Sequence, residues 1–189
     1  SLSLYYSVCL STPLPLPFMK VKLTKDFPET FYALVEISEG SRNKYEYHED
    51  VESIVLDRIL FTPMNYPTNY GMILGTRAKD GDPLDVLIIS SSPIQPGILV
   101  KCRPIGIAEM HDEEGEDNKI IAVPVDNVDP NSSTIKEIND VPQNFKNIIR
   151  HFFEHYKELE ENKFMKFERF GSKDDAIREI KASMISKAL

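Results

Sequence analysis

The chain has 189 residues, 41% of them apolar and 28% charged, and a formal charge of −8. That length can bury a full hydrophobic core, while the acidic balance argues against a nucleic-acid surface, whose phosphates demand basic patches. No apolar run approaches the roughly 18 residues of a membrane span. The two cysteines, Cys9 and Cys102, make no disulfide framework and point to no oxidising compartment.

Residues 1–18 contain no charged side chain and are rich in Ser, Leu and Pro. They lack the basic n-region of a secretory signal and the arginines of a transit peptide. Because Met19 stands just before the first charged residue, this stretch is expected to be a poorly ordered leader or a start placed too early. Residues 19–189 are expected to form a single domain.

Residues 31–37 (FYALVEI) read as a strand with Glu36 as a lone charge in apolar surroundings. A turn at Glu39-Gly40-Ser41 leads to a second strand around residues 44–47. Alternation there puts Lys44 and Glu46 on one face and Tyr45 and Tyr47 on the other; on spacing alone, a solvent-facing pair is an equal reading. Residues 53–61 (SIVLDRILF) form an apolar strand interrupted by Asp57-Arg58, and an arginine in such a run is normally paired or faces a cavity. The turn formers of 62–71 (TPMNYPTNYG) read as a loop. Its Tyr66 and Tyr70 either pack beneath it or offer an uncharged hydrogen bond to an oxyanion.

Residues 80–85 (DGDPLD) place three carboxylates within six positions, directly before the apolar run 86–89. Their mutual repulsion calls for a cation among them. The Asp-Gly and Asp-Pro steps favour a tight turn, and the β-branched run behind reads as a buried strand. A strand mouth pins side chains as a metal site needs, and donors that are all oxygen suit Mg²⁺, Mn²⁺ or Ca²⁺ rather than zinc. For this stretch alone, a solvated acidic turn is the plainer alternative. Residues 93–97 (PIQPG) read as a hairpin-type connection, and 98–109 as a long strand bent at Pro104 and Gly106. The acidic stretch 112–118, closed by Lys119, joins that strand to another at 120–125.

The chain then turns helical, with Asp140 as N-cap and Pro142 in the first turn. Phe145, Ile148, Ile149, Phe152, Phe153, Tyr156 and Leu159 make one apolar stripe. Lys157 is expected to turn away from its centre. His151, Glu154 and His155 match the H-x-x-E-H pattern of inverted zinc peptidases, but nothing downstream clearly supplies a third ligand, so they read as structural histidines. Residues 164–170 read as a last strand. Ser172 and Asp175 form a capping-box start for a final helix carrying Ile177, Ile180 and Met184.

Five stretches, EISEGSRNKYE, LDRILFTPMNYPTNYG, DGDPLDVL, GEDNK and HFFEHYKELE, occur in the order and spacing of soluble family I inorganic pyrophosphatases. The resemblance spans residues 29 to about 185. It implies an α+β fold, a five-stranded OB-like β-barrel flanked by two C-terminal helices. It also implies hydrolysis of pyrophosphate to two phosphates with several Mg²⁺ ions per site. Carried over position by position, Asp80, Asp85 and Asp117 look like ligands of the first metal, with Asp85 bridging to a second. Asp112 and Asp117 resemble ligands of metals that arrive with substrate, and Glu46 lines the same metal cavity. Asp82 resembles the carboxylate that helps deprotonate the attacking water. Lys44, Arg58, Tyr70, Lys119, Tyr156 and Lys157 resemble the groups that hold phosphate, while Glu36 and Tyr66 match active-site positions of less defined role.

The resemblance further implies a cytoplasmic enzyme with no nucleic-acid or membrane partner, forming a homo-oligomer, a hexamer before other assemblies. Ser38 stands where the family usually has proline, which suggests a flexible loop rather than lost activity, and the Glu36-to-Lys44 loop is closer to plant-type members. A calcium-binding module would explain the acidic turns but not Lys44, Arg58, Lys119 and Lys157 at phosphate-holding positions. An OB-type nucleic-acid binder would explain the tyrosines but not the charge.

Overall fold

β-Branched and aliphatic runs form the strands. In a computed structural model that describes residues 23–185, these are β1 (Phe31–Ile37), β2 (Asn43–His48), β3 (Ser53–Ile59), β4 (Asn69–Ile73), β5 (Asp85–Ile88), β6 (Leu99–Asp112), β7 (Gly115–Glu116), β8 (Lys119–Pro124) and β9 (Met165–Gly171). The helices are α1 (Gln143–His155) and α2 (Lys173–Ala182). The expected leader lies outside the described residues.

Five strands close on themselves in the order β1-β4-β5-β8-β6, with β6 pairing back to β1. Every pair in this ring is antiparallel except β5–β8, which is parallel. β9 extends the sheet along β6, and β7 folds onto the end of β6 as a short hairpin. The ring and its two helices form the expected OB-like α+β fold. β2 and β3 make a separate two-stranded sheet.

Alternation sorts the ring's side chains onto two cores. Phe31, Ala33, Val35, Ile73, Val86, Ile88, Val100, Cys102, Ile120 and Ala122, from all five ring strands, pack with Ala176 and Ile180 of α2. Leu87, Ile121 and Val123 point the other way, under Ile149, Phe152 and Phe153 of α1. Burying each of these phenylalanines is worth about 1.5–3 kcal/mol. Closing the ring demands tight backbone approach: a Cβ on Gly71 would lie 1.9 Å from the Leu34 carbonyl oxygen. β6 shifts register between Pro104 and Gly106, the bend its sequence predicts.

Several sequence expectations need correction. The 53–61 run does form a strand, but outside the ring. β3 belongs to the two-stranded sheet, and Leu56, Ile59 and Phe61 are exposed. Residues 93–97 do not close a hairpin, because β8 lies between β5 and β6. That segment instead crosses against β1, with Gly97 N donating to Val35 O and Val35 N to Ile98 O. Asn69, fully buried, anchors the crossing: its Oδ1 accepts from Glu39 N and Ile94 N, and its Nδ2 donates to Ser90 Oγ. Ser38 is tied to the same segment through its hydroxyl, which donates to Ile94 O at 2.6 Å.

Asp140 does not cap α1. It closes a 3-10 turn at Ile138–Asp140 and accepts from Lys136 N and Glu137 N, leaving Pro142 at the N-cap. α1 ends at His155, so helical spacing no longer governs the residues beyond it: Leu159 is exposed and Lys157 is buried. Ile148, also on the expected stripe, is exposed. The Ser172–Asp175 capping box forms reciprocally, as its spacing predicts.

Candidate active site

Parallel pairing sets Asp85 at the head of β5 opposite Lys119 at the head of β8. Both share strand parity with Leu87 and Ile121, so they face the α1 side of the ring. Lys119 is only 3% exposed at its side chain, and its Nζ donates at 2.8 Å to Asp85 Oδ2 and at 2.8 Å to Asp117 Oδ1. Burial alone would lower the lysine's pKa, but these two carboxylates reverse that and raise it, so it stays charged. Its ammonium also sits 5.5 Å from the ring centre of Tyr70. Tyr70 is on β4 rather than in the expected loop, whereas Tyr66 does lie in the loop before it.

The aspartate turn leads into β5. Gly81 takes a φ of +96°, which lets the chain reverse, and Asp80 Oδ1 accepts from Asp82 N at 3.0 Å. Asp80, Asp82 and Asp85 share a 370 Å³ cavity with Glu36, Lys44, Glu46, His48 and Tyr70. The lining of that cavity holds five carboxylates and one lysine. Burial, then repulsion from Asp80 and Asp85, raises the pKa of Asp82. Burial also lifts Glu36 to about 8, against the hydrogen bond its Oε1 accepts from Tyr47 N at 2.8 Å. Asp117 is raised by burial as well, with Lys119 opposing and Asp85 adding to the shift.

The opposite wall comes from β2 and β3. Lys44 pairs in register with Arg58 and Tyr45 with Leu56, so Asp57 is the extra residue of a bulge. The bulge brings the Asp57 carboxylate to both Arg58 Nη1 and Lys44 Nζ, the latter at 3.4 Å. Lys44 also meets Glu46, as their shared strand face predicts.

The turn after α1 supplies the third set. Tyr156, at the helix C-cap, stacks on Phe152 at 5.1 Å, and its ring lies 6.5 Å from that of Tyr66. Burial raises both phenols, so they remain neutral donors. Lys157 Nζ donates to Asp112 Oδ2 at 3.1 Å and to Glu113 Oε2 at 3.2 Å.

The structure therefore gathers the sequence-predicted residues into one region, but it divides the acids among cations. Asp85 and Asp117 meet Lys119, Asp112 meets Lys157, and Glu46 meets Lys44. Among the described residues no three acidic, histidine or cysteine side chains converge as a ready-made metal cluster. The donor chemistry nonetheless fits a hard divalent cation: every candidate ligand is a carboxylate, and five carboxylates against one lysine line the cavity. The rings of His151 and His155 lie 4.4 Å apart, tilted at 45°, while Glu154 accepts from Arg150.

Sequence reading missed the partners behind this front. Glu113 accepts from Lys157 and from Phe164 N and pairs with Lys163 at 2.8 Å. Glu160 reaches Arg58. Both lie in charge-rich stretches that look like solvated surface, so no local signal singles them out.

The inorganic pyrophosphatase family model matches residues 33–187. An inorganic pyrophosphatase of Thermoplasma volcanium is 61% identical over 162 residues, covering 86% of this chain and 96% of that protein. One from Sulfolobus acidocaldarius is 52% identical over 88% of this chain and 96% of the other. Among solved structures, the Thermus thermophilus inorganic pyrophosphatase superposes with a TM-score of 0.83 at 40% identity, covering 86% of this chain and 94% of that one.

Proposed function

The chain belongs to the inorganic pyrophosphatase family and hydrolyses inorganic pyrophosphate, and from that premise we propose a Mg²⁺-dependent reaction at the acidic cavity. Asp80, Asp85, Asp112 and Asp117 would hold the metal, with Glu46 beside them. When bound, Mg²⁺ neutralises phosphate charge and acidifies a coordinated water.

The chain's own groups do the rest. Lys119 and Lys157 transfer hydrogen bonds from carboxylates to phosphate oxygens, which frees those carboxylates as ligands. Lys44 and Arg58 reach the substrate from the two-stranded sheet. Tyr70 and Tyr156 donate hydrogen bonds without adding charge. Glu36 and Tyr66 support this set from β1 and the loop before β4. Asp82 accepts the proton of the attacking water at a carboxylate oxygen, and its raised pKa makes it the better base. The water oxygen bonds to one phosphorus, the bridging P–O bond breaks, and the second phosphate leaves with that electron pair.

The observation that carries this reading is Lys119, buried at the head of β8 between Asp85 of the adjacent parallel strand β5 and Asp117 of the preceding turn, at the edge of a cation-poor, acid-rich cavity. Phosphate release from pyrophosphate tests it. Turnover in Mg²⁺, loss in excess chelator and inhibition by Ca²⁺ are expected, because Ca²⁺ is larger and acidifies water less. Full activity in chelator or in Ca²⁺ alone contradicts it. On the family resemblance we also read the enzyme as a cytoplasmic hexamer that removes pyrophosphate released by biosynthetic reactions. Light scattering that gives a monomer at micromolar concentration overturns that assembly.

A further inference from the structure

We propose that Glu160 is a positioning residue for Arg58, clamping the guanidinium from behind so that it meets a phosphate group in one orientation. This rests on the reading that Arg58 holds phosphate. Arg58 is gripped from two elements. From its own strand, the bulged Asp57 meets Nη1. From the turn after α1, Glu160 places Oε1 3.0 Å from Nε. The Glu160 side chain is only 10% exposed, and its Oε2 is buried without a hydrogen-bond partner.

Burying a carboxylate with one oxygen unpaired is costly, and charge contact with Arg58 is what offsets it here. The contact is close but off-axis, since Arg58 Nε lacks an aligned hydrogen bond. Glu160 thus acts on the guanidinium chiefly by charge, and the two acids together occupy Nη1 and Nε. Glu160 also ties together parts of the site that are remote in sequence. Its backbone N–H donates to Lys157 O at 3.0 Å, so the turn that carries Tyr156 and Lys157 also fixes Arg58 on the two-stranded sheet. An arginine on a two-stranded sheet has more freedom than one on the ring, and this contact removes it.

Losing the clamp removes no donor to substrate, so it should weaken ground-state binding more than chemistry. The test is steady-state pyrophosphate hydrolysis at saturating Mg²⁺ for Glu160→Ala, Glu160→Asp, Arg58→Lys and the Arg58→Lys/Glu160→Ala double variant, with thermal melts for each. Glu160→Ala should raise KM about 10-fold while kcat stays within about 3-fold. Glu160→Asp should recover part of that loss. In the Arg58→Lys background, Glu160→Ala should add little, because the group it positions is gone. A full additive loss in the double variant, a loss confined to kcat, or no change in Glu160→Ala overturns the clamp. If Glu160→Ala does not fold, Glu160→Gln replaces it, keeping volume but removing charge, with the same outcomes. If Arg58→Lys itself leaves KM unchanged, the phosphate role of Arg58 fails and the clamp with it. If Arg58→Lys raises KM and Glu160→Ala does not, only the clamp falls.

Discussion

Lys119 and Arg58 are both cations held between two carboxylates, but the closed ring holds one and the two-stranded sheet holds the other. Lys119 begins a strand paired on both sides, and its side chain is 3% exposed. Arg58 lies on a strand with a single partner, and its side chain is 25% exposed. Around it, Leu56 and Ile59 expose 49% and 52% of their surface. The ring therefore fixes its charges through backbone register, whereas the sheet must fix its own through side-chain contacts. A site built this way has one wall held by backbone register, which orders the carboxylates, and one wall held by side-chain contacts, which orders the cations Lys44 and Arg58.

The largest expected effect comes from the wall held by backbone register. Lys119→Met leaves Asp85 and Asp117 facing each other without a counter-charge. It should cost about 3 kcal/mol in urea unfolding and about 10²–10³-fold in kcat/KM. Arg58→Met strands the buried Glu160 but leaves Asp57 its contact with Lys44, so it should cost about 2 kcal/mol in stability, less than Lys119→Met. Equal losses of stability would erase the distinction between the two walls.

Glu36 sits where the walls meet, on β1 with Tyr47 of β2 as its partner. Burial raises its folded pKa from 4.5 to about 8, with Asp85 and Glu46 adding to the effect. The folded state therefore keeps a proton that the unfolded chain gives up, so stability falls as pH rises from 4.5 to about 8. Glu36→Gln keeps an acceptor for Tyr47 N and removes that slope. In chelator, the variant should be the more stable protein at pH 8 by a few kcal/mol, and the difference should vanish near pH 4. Urea titrations at the two pH values decide it, and a gap that widens toward acid contradicts burial as the cause.

The smallest effect belongs to the exposed face of the sheet. Leu56→Thr should change stability by less than about 0.5 kcal/mol and leave hydrolysis unchanged. A loss well above that, read in the same urea titration, would mean the face is covered in solution.

The sequence revealed the ring more fully than the site's supports. Strand parity in residues 31–37 and 86–88, the bend at Pro104 and Gly106 and the Ser172 cap are local signals that the fold obeys. The aspartate turn and Lys119 were legible because repelling carboxylates ahead of an apolar run demand an explanation. Lys157 was misplaced because helical spacing was carried past His155, where the helix ends. The place of β3 outside the ring was not legible, because an apolar run does not say which sheet it will join. Glu113, Asn69 and Glu160 act through partners 44, 25 and 102 positions away, and no window of sequence contains such pairs.

The central claim is that aspartates of one turn divide the work, Asp85 holding metal and Asp82 moving a proton. A Mg²⁺ titration of activity in Asp82→Asn and Asp85→Asn, with melts to confirm folding, tests it most directly. Asp82→Asn should keep the wild-type Mg²⁺ midpoint and lose about 10²–10⁴-fold in kcat at saturation. Asp85→Asn should need more Mg²⁺ to reach its own maximum. If Asp82→Asn merely shifts the midpoint and regains wild-type turnover at saturating Mg²⁺, Asp82 is a metal ligand and the division of work is contradicted.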